Sequence, residues 1–193
     1  MLRIGIIGPE STGKSTLANQ LAGVLQASVV PEYARDYVEQ LSRPYTYDDV
    51  VLIAKKQIEQ LSADYPTPIV IFDTELIITK VWFEHKYSSA SDSNTASASA
   101  SASTSTSACP QFIEDYLLEH PLDHYLLLSP DLPFVPDPVR ENPDLRLQLF
   151  DRYLALLRHY RLPYTIISGT GNSRLQAALD AISRITGLSA TGS

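Results

Sequence analysis

The stretch Gly8–Thr16, GPESTGKST, decides the fold, because it matches the phosphate-binding pattern G-x-x-x-x-G-K-[ST]. The strand-like LRIGII precedes it and the helix-prone STLANQLAGVLQ follows it, as the pattern requires. Gly8 and Gly13 allow successive backbone N–H groups to face phosphate oxygens at the positive end of that helix. We expect Lys14 to reach the β- and γ-phosphates of a nucleotide and Ser15 to help coordinate magnesium.

The length, net charge and cysteine content of the chain exclude several classes of protein. With 193 residues we expect one domain, and the net charge of -7 disfavours binding to nucleic acid, whose phosphates need clustered cations. The single cysteine, Cys109, excludes a disulfide within the chain and fits a reducing cytoplasm. The apolar run at the amino terminus is too short for a signal peptide or a membrane span. We therefore expect a cytoplasmic protein with no membrane association, and the sequence leaves its oligomeric state open.

Short apolar runs rich in β-branched residues recur along the chain and predict strands. They are Ile4–Ile7, Ser28–Val30, Ile69–Phe72, Tyr125–Leu128 and Tyr164–Ile167. Most are continuous rather than alternating, which is typical of parallel strands covered on both faces. Stripes with the spacing of core-facing helices lie at 50–61, 150–157 and 175–182. The alternation predicts a doubly wound α/β fold, although periodicity does not give the strand order.

One segment, Ser88–Ala108, interrupts this pattern and holds no apolar residue larger than alanine. Such a composition cannot bury enough surface to offset the entropy of ordering, so we predict a disordered loop. Its flanks, Thr74–Tyr87 and Gln111–Glu119, have helical patterns, which places it inside a single domain of residues 1–193. It is either a tolerated surface insertion or a functional element, such as a phosphorylated or lid-like segment.

The group that receives a phosphate should lie beyond the carboxyl ends of the strands, where ligands bind in doubly wound sheets. The segment PEYARDY follows the second predicted strand and carries Glu32, Tyr33, Arg35 and Asp36. Glu32 lies nearest to the strand end and is our first candidate for the carboxylate that orients and deprotonates an acceptor hydroxyl, with Asp36 second. Alternatively, these charged side chains form only the solvated start of a helix.

An acidic residue also ends the third predicted strand, in the segment IVIFDTE. In a P-loop protein this position is typical of the carboxylate that holds magnesium through a water or through the hydroxyl of the loop. We therefore assign Asp73 and Ser15 to a metal site. Asp73 or Thr74 could also cap the following helix, and the two roles are compatible.

Two later loops complete the predicted edge of the sheet. The segment SPDLPFVPDPVRENPDLR has five prolines, which prevent regular structure, and its Arg140 and Arg146 could close over a transferring phosphoryl group. Alternatively, these arginines pair with Asp137 or Glu141 on a surface loop. Residues 169–172 combine glycine with small polar side chains, which suits either the close approach of an adenine ring or a plain turn into a helix.

Four segments resemble, in this order, the ribosylnicotinamide kinase domain of NAD-salvage proteins: GPESTGKSTL, PEYARDY, IFDTELIITKVWFEHKY and LLLSPDLPFVPDPVRENPDLR. The resemblance implies a P-loop NTPase fold with a five-stranded parallel sheet in the order 2-3-1-4-5. It also implies transfer of the γ-phosphate of ATP to the 5′-hydroxyl of nicotinamide riboside, with Mg²⁺ as cofactor.

Carried over by position, the resemblance implies a catalytic set of Lys14, Glu32, Asp36, Asp73 and Arg140. ATP would contact the whole loop: Gly8, Pro9, Glu10, Ser11, Thr12, Gly13, Lys14, Ser15 and Thr16. The riboside site would be lined by Glu32, Tyr33, Arg35 and Asp36. A cationic nicotinamide ring would also need an aromatic partner. The candidates are Tyr33, Tyr37, Trp82 and Tyr87, any of which could instead serve core packing.

The chain also departs from the family that it resembles. Bifunctional members carry an adenylyltransferase domain before the kinase, whereas this chain begins at the kinase strand, so we expect that activity to be absent. Val30 and Pro31 precede Glu32 where some relatives have an aromatic residue. Two other functions stay open: a kinase for another nucleoside, and an AAA-like module that hydrolyses ATP to move a partner. Only a kinase would consume ATP in proportion to added riboside.

Replacing residues 88–108 with a short Gly-Ser bridge should change the melting temperature and the kinase activity little, because the segment adds nothing to the predicted core. Thermal unfolding and an ATP-consumption assay check this expectation. Loss of stability or of activity would identify the segment as a functional element.

Overall fold

The computed structural model describes residues 1–87, 109–135 and 145–187. In these ranges the strands are β1 (Leu2–Ile7), β2 (Ser28–Val30), β3 (Ile69–Asp73), β4 (His124–Leu128) and β5 (Tyr164–Ile167). The helices are α1 (Lys14–Leu25), α2 (Tyr33–Glu39), α3 (Tyr47–Ser62), α4 (Leu76–Tyr87), α5 (Gln111–Glu119), α6 (Arg146–His159) and α7 (Gly171–Thr186). The segment 88–108 and Arg140 lie outside the described residues. Within the described ranges, no helix is both long and apolar enough to cross a membrane.

The strands form one parallel sheet in the order β2-β3-β1-β4-β5, which confirms the predicted doubly wound α/β fold and the strand order. β1 lies at the centre, with Ile6 paired to Asp73 of β3 and Ile7 paired to Leu127 of β4. The hydrogen-bond ladder extends past the end of β3, since the Thr74 N–H donates to the Ile6 carbonyl at 3.1 Å. The segments after β1, β3 and β4 therefore leave the sheet side by side.

Helices cover both faces of the sheet and build two separate cores. Successive strand residues point to opposite faces, so that Ile71 packs with α1 and α7 whereas Phe72 packs with α3, α4, α5 and α6. Both residues are buried. The continuous apolar runs of the sequence follow from this arrangement, because each inner strand is covered on both sides.

Charged side chains fasten α4 to its neighbours. Lys80 is only 4% exposed and pairs with Glu114 of α5 at 2.5 Å and with Glu84 one turn along α4 at 3.1 Å. Glu84 also accepts a hydrogen bond from Arg152 of α6 at 2.7 Å. This network links three helices.

A carboxyl group is buried at the start of α4. Glu75 is 1% exposed, and its Oε1 accepts a hydrogen bond from the Ile77 N–H at 3.0 Å. The space around it is filled, since a Cβ added to Gly5 would lie 2.9 Å from Leu122 and 3.3 Å from Glu75. Removal from water raises the pKa of Glu75 to about 8, so the carboxyl group is mostly protonated at neutral pH.

The buried Glu75 should make the free energy of unfolding fall as the pH rises from about 5 to 8. The unfolded chain releases this proton near the usual pKa of 4.5, whereas the native state keeps it up to about 8. The unfolded state therefore binds fewer protons across that range. Glu75→Gln replaces the acid with a neutral isostere and should flatten the dependence, as measured by urea unfolding over the same pH range.

Glu119→Gln, at the exposed end of α5, is the matched control and should keep the pH dependence of the wild-type protein. Equal slopes for the wild type and for Glu75→Gln would show that Glu75 does not hold its proton in the native state.

Candidate active site

The phosphate-binding loop adopts a turn that requires glycine at two positions. Gly8 has a φ of 151°, and a Cβ there would lie 2.9 Å from the Leu128 carbonyl of β4. Gly13 has a φ of 78° and directly precedes α1, whose positive dipole end therefore faces the loop. The Lys14 ammonium folds back over the loop and donates to the carbonyls of Gly8 at 3.0 Å and Pro9 at 3.1 Å.

A cavity of about 780 Å³ extends from this loop across the carboxyl edge of the sheet. Gly8 and residues 10–16 line it on the loop side. The start of α2, the connection from α2 to α3, and the helices α4 and α6 supply the rest of the lining. A cavity of this size accommodates a small organic ligand, and it joins the loop to the segments predicted to hold an acceptor.

Asp73 ends β3 beside the loop and is 4% exposed. Burial raises the pKa of its carboxyl group, while a hydrogen bond from the Ser15 hydroxyl and the charges of Lys14 and Arg35 act in the opposite direction. The Asp73 Oδ1 is buried and has no hydrogen-bond partner among the described residues. An orphaned carboxylate oxygen beside a hydroxyl fits Mg²⁺, which takes few protein oxygens and completes its shell with phosphate and water. The structure thus brings the two predicted metal residues together.

The residues predicted to act on an acceptor fall into two groups. Glu32 directly precedes α2 and Arg35 lies within it; both line the cavity, with the Glu32 Oε2 3.8 Å from the Arg35 Nε. Asp36 is exposed and, like Tyr33, lies outside the lining of the described cavity. Tyr33 packs against Tyr37, with ring centroids 5.9 Å apart. The geometry therefore favours Glu32 over Asp36 for contact with a bound acceptor.

An aromatic wall, formed by Tyr45 and Trp82 with Lys86 beside them, lines the cavity next to α4. The rings of Tyr45 and Trp82 meet edge to face with centroids 4.8 Å apart, and the Trp82 Nε1 donates to the Tyr45 Oη at 3.0 Å. The Lys86 Nζ lies 3.7 Å from the centroid of the Tyr45 ring. Of the four aromatic residues considered from the sequence, Trp82 lines the described cavity, whereas Tyr87 packs against Tyr47.

The buried carboxylate of Asp49 holds the segment that carries Tyr45, and neither residue is among the candidates predicted from the sequence. Asp49 is 2% exposed and pairs through both oxygens with Arg43, at 2.6 and 2.9 Å. It also accepts hydrogen bonds from the Thr46 N–H and hydroxyl, each at 2.7 Å, and from the Tyr37 hydroxyl at 2.8 Å. The Arg43 contact, then those from Thr46, hold the pKa of Asp49 well below its usual range. The T-x-x-D spacing of a helix cap could have indicated this anchor.

The described part of the proline-rich segment closes onto the phosphate-binding loop. The Ser11 hydroxyl accepts a hydrogen bond from the Val135 N–H at 3.1 Å and donates to the Val135 carbonyl at 3.2 Å. Arg146, at the start of α6, donates to the Ser11 carbonyl at 3.4 Å, and its Nε is buried without a partner in the described ranges. Arg146 therefore lies at the loop, whereas the role of Arg140 stays a prediction.

A family model described as an AAA domain matches residues 3–174 of this chain. The chain belongs to this AAA-domain family. The match extends from β1 to the first turn of α7. The AAA domain therefore includes the phosphate-binding loop and every described segment that lines the cavity.

The chain is also similar to two curated proteins. They are the trifunctional NAD biosynthesis/regulator protein NadR of Salmonella typhimurium and that of Escherichia coli. Each is 26% identical over 143 residues, which cover 71% of this chain and 30% of the relative. The chain thus matches less than a third of the length of these relatives.

Solved structures share the fold of this AAA domain. NadR protein in complex with NR has a TM-score of 0.75 at 21% identity, over 97% of this chain and 52% of that chain. NadR protein in complex with NAD and AMP-PNP has a TM-score of 0.72 at 20% identity, over 100% and 51%. Deoxyadenosine kinase from M. mycoides has a TM-score of 0.64 at 13% identity, over 95% and 100%. At these identities the likeness establishes the fold.

Lys14→Ala should abolish the binding of AMP-PNP measured by calorimetry, because it removes the cation that the loop offers to the β- and γ-phosphates. The melting temperature should change little, since Lys14 contacts carbonyls of the loop rather than either core. Lys56→Ala, on the exposed face of α3, is the matched control and should bind like the wild type. Nucleotide binding by a folded Lys14→Ala protein would contradict the role given to this lysine.

Proposed function

We propose that this chain transfers the γ-phosphate of ATP to the 5′-hydroxyl of nicotinamide riboside and forms nicotinamide mononucleotide. The observation that carries the proposal is one cavity lined by the phosphate-binding loop, by Glu32 and by Trp82. Donor phosphates, an acceptor hydroxyl and a cationic ring can share that space. Similarity to NadR, solved with NR in one structure and with NAD and AMP-PNP in another, supports the proposal.

On the donor side, the backbone amides of the loop and of the first turn of α1 would hold the triphosphate. Lys14 would exchange its carbonyl contacts for the β- and γ-phosphates. Asp73 and Ser15 would hold Mg²⁺, which neutralises phosphate charge when bound. Arg146 lies close enough to the loop to share with Arg140 the task of offsetting charge on the transferring phosphoryl group.

On the acceptor side, Glu32 would accept the proton of the 5′-hydroxyl and aim its oxygen at the γ-phosphorus. The neighbouring Arg35, 3.8 Å away, would hold the carboxylate in the cavity and add positive charge near the site of transfer. Asp36, the second candidate for the base, and Tyr33, a riboside contact expected from the sequence, lie outside the cavity lining, so Glu32 and Arg35 are the proposed acceptor contacts.

The aromatic wall is the proposed contact for the nicotinamide ring, because the face of an aromatic ring attracts a cation. Lys86 already lies over the ring of Tyr45. Trp82 is therefore the better candidate for stacking on a positively charged ring. Its Nε1 hydrogen bond to Tyr45 would keep the indole fixed during binding.

A second function is ATP hydrolysis that moves a partner protein, and the observation that favours it is the AAA-domain match itself. The two functions differ in their acceptor. A kinase consumes ATP in proportion to the riboside supplied, whereas an AAA-like module hydrolyses ATP when no riboside is present.

Turnover of magnesium-ATP should require nicotinamide riboside in a panel that also contains adenosine, cytidine and uridine, with ³¹P NMR placing the phosphate on O5′. Glu32→Gln and Asp73→Asn should each lower kcat by at least about a hundredfold, the size expected for a positioned base or metal carboxylate. Glu59→Gln, exposed on α3, is the control for removing a carboxylate and should keep wild-type turnover.

Equal ATP turnover with and without riboside would favour the AAA-like module over the kinase. Turnover that requires a different nucleoside would correct the acceptor and leave the kinase in place. Wild-type turnover in both Glu32→Gln and Asp73→Asn would refute the roles given to these two residues.

A further inference from the structure

A buried arginine lies behind the phosphate-binding loop, outside the lining of the described cavity. Arg174 is 4% exposed and belongs to the first turn of α7, where a cation opposes the positive end of the helix dipole. Burying a guanidinium in such a position is costly unless its N–H groups and its charge find partners. The contacts of the Arg174 side chain must therefore offset the cost of burying its charge there.

The guanidinium of Arg174 binds three separate loops at once. Its Nε donates to the Gly169 carbonyl at 2.7 Å, its Nη1 to the Thr12 carbonyl at 2.5 Å and its Nη2 to the Ser129 carbonyl at 3.2 Å. Nη2 also pairs with the carboxylate of Asp131. Thr12 follows β1, Ser129 and Asp131 follow β4, and Gly169 follows β5. One side chain thus fastens together the loops at the carboxyl ends of three strands.

Asp131 adds a second tie between two of these loops. Its Oδ2 accepts a hydrogen bond from the Gly169 N–H at 2.7 Å, while its Oδ1 pairs with Arg174. The planar fork of an arginine can meet several acceptors with fixed geometry, which a lysine cannot do. The contacts of Arg174 therefore define both the position and the orientation of the Thr12 carbonyl.

The orientation of the Thr12 carbonyl determines the direction in which the next N–H group, that of Gly13, can donate a hydrogen bond to a phosphate. In a trans peptide, the C=O of one residue and the N–H of the next point in opposite directions. The bond from Arg174 draws the Thr12 carbonyl towards α7, so the Gly13 N–H points away from α7. Thr12 and Gly13 both line the cavity, whereas no described residue of α7 does.

We propose that Arg174 is a positioning residue that aims the Gly13 amide at the phosphates of the bound nucleotide. Arg174 touches neither the phosphates nor the acceptor, and it acts through the Thr12–Gly13 peptide. The inference rests on the proposed function only in taking a nucleoside triphosphate as the ligand of the loop.

Arg174→Met should weaken the binding of AMP-PNP by at least about tenfold, the scale of one misdirected hydrogen bond to a charged group. Arg174→Lys keeps the charge but loses the fork, so its affinity should lie between those of Arg174→Met and the wild type. Arg184→Met, an exposed arginine on the same helix, is the matched control and should bind like the wild type. In steady-state assays, Arg174→Met should raise the KM for ATP and leave the KM for the riboside unchanged, which a general loss of stability would not do.

A spectroscopic measurement reports on the Gly13 amide directly. The chain has eight glycines, so labelling with ¹⁵N-glycine gives a spectrum simple enough to assign. Inorganic tripolyphosphate should shift the Gly13 resonance in the wild type and in Arg184→Met, and should shift it much less in Arg174→Met or Arg174→Lys.

Wild-type affinity for AMP-PNP in a folded Arg174→Met protein, or in Arg174→Lys if the first variant does not fold, would overturn the role of Arg174. An unchanged response of Gly13 to tripolyphosphate in these variants would do the same. A wild-type protein that binds neither AMP-PNP nor tripolyphosphate would overturn the proposed function and this inference together, and that outcome is visible before any variant is made.

Discussion

The close approach of the Gly8 backbone to β4 is the constraint on which the rest of the site depends. A Cβ at Gly8 would lie 2.9 Å from the Leu128 carbonyl, so the chain can turn into the phosphate-binding loop only against that strand. β1 is an inner strand of the sheet, flanked by β4 on this side and by β3 on the other. The residues that follow β3 and β4 therefore reach the same loop. Asp73 lies on the β3 side of the loop, and the segment that contacts Ser11 lies on the β4 side.

The sequence predicted those parts of the site whose signals are local. A glycine-rich loop between a strand and a helix, and an acidic residue that ends a buried strand, are each contained in a few consecutive residues. The strand order came from resemblance rather than from periodicity. The choice between Glu32 and Asp36 depends on how α2 lies against the cavity. The seven residues of PEYARDY contain no pattern that predicts this orientation.

Other parts of the site depend on partners that are distant in the chain. Trp82 reaches Tyr45 across 37 positions, and Arg174 reaches Thr12 across 162. Neither Tyr45 nor Arg174 stands out in its own segment, because a tyrosine after a proline and an arginine in a helix are ordinary surface features. Glu75 is similar, since the acidic run IFDTE marks the end of a strand but does not say which carboxyl group is buried.

Two carboxyl groups near the site, those of Asp49 and Glu75, have pKa shifts in opposite directions. They therefore change charge in different ranges of pH. Asp49 stays charged under Arg43 and Thr46, so the stability that it contributes disappears only when the pH falls through its lowered pKa. Glu75, two residues beyond Asp73, stays neutral until the pH approaches about 8. The segment that carries Tyr45 of the aromatic wall is therefore held by Asp49, which stays charged in mild acid. The end of β3 that carries Asp73 adjoins Glu75, which becomes charged at alkaline pH. Mild acid leaves the charge state of both groups unchanged, whereas a pH above about 8 places a negative charge on the buried Glu75, two residues beyond Asp73.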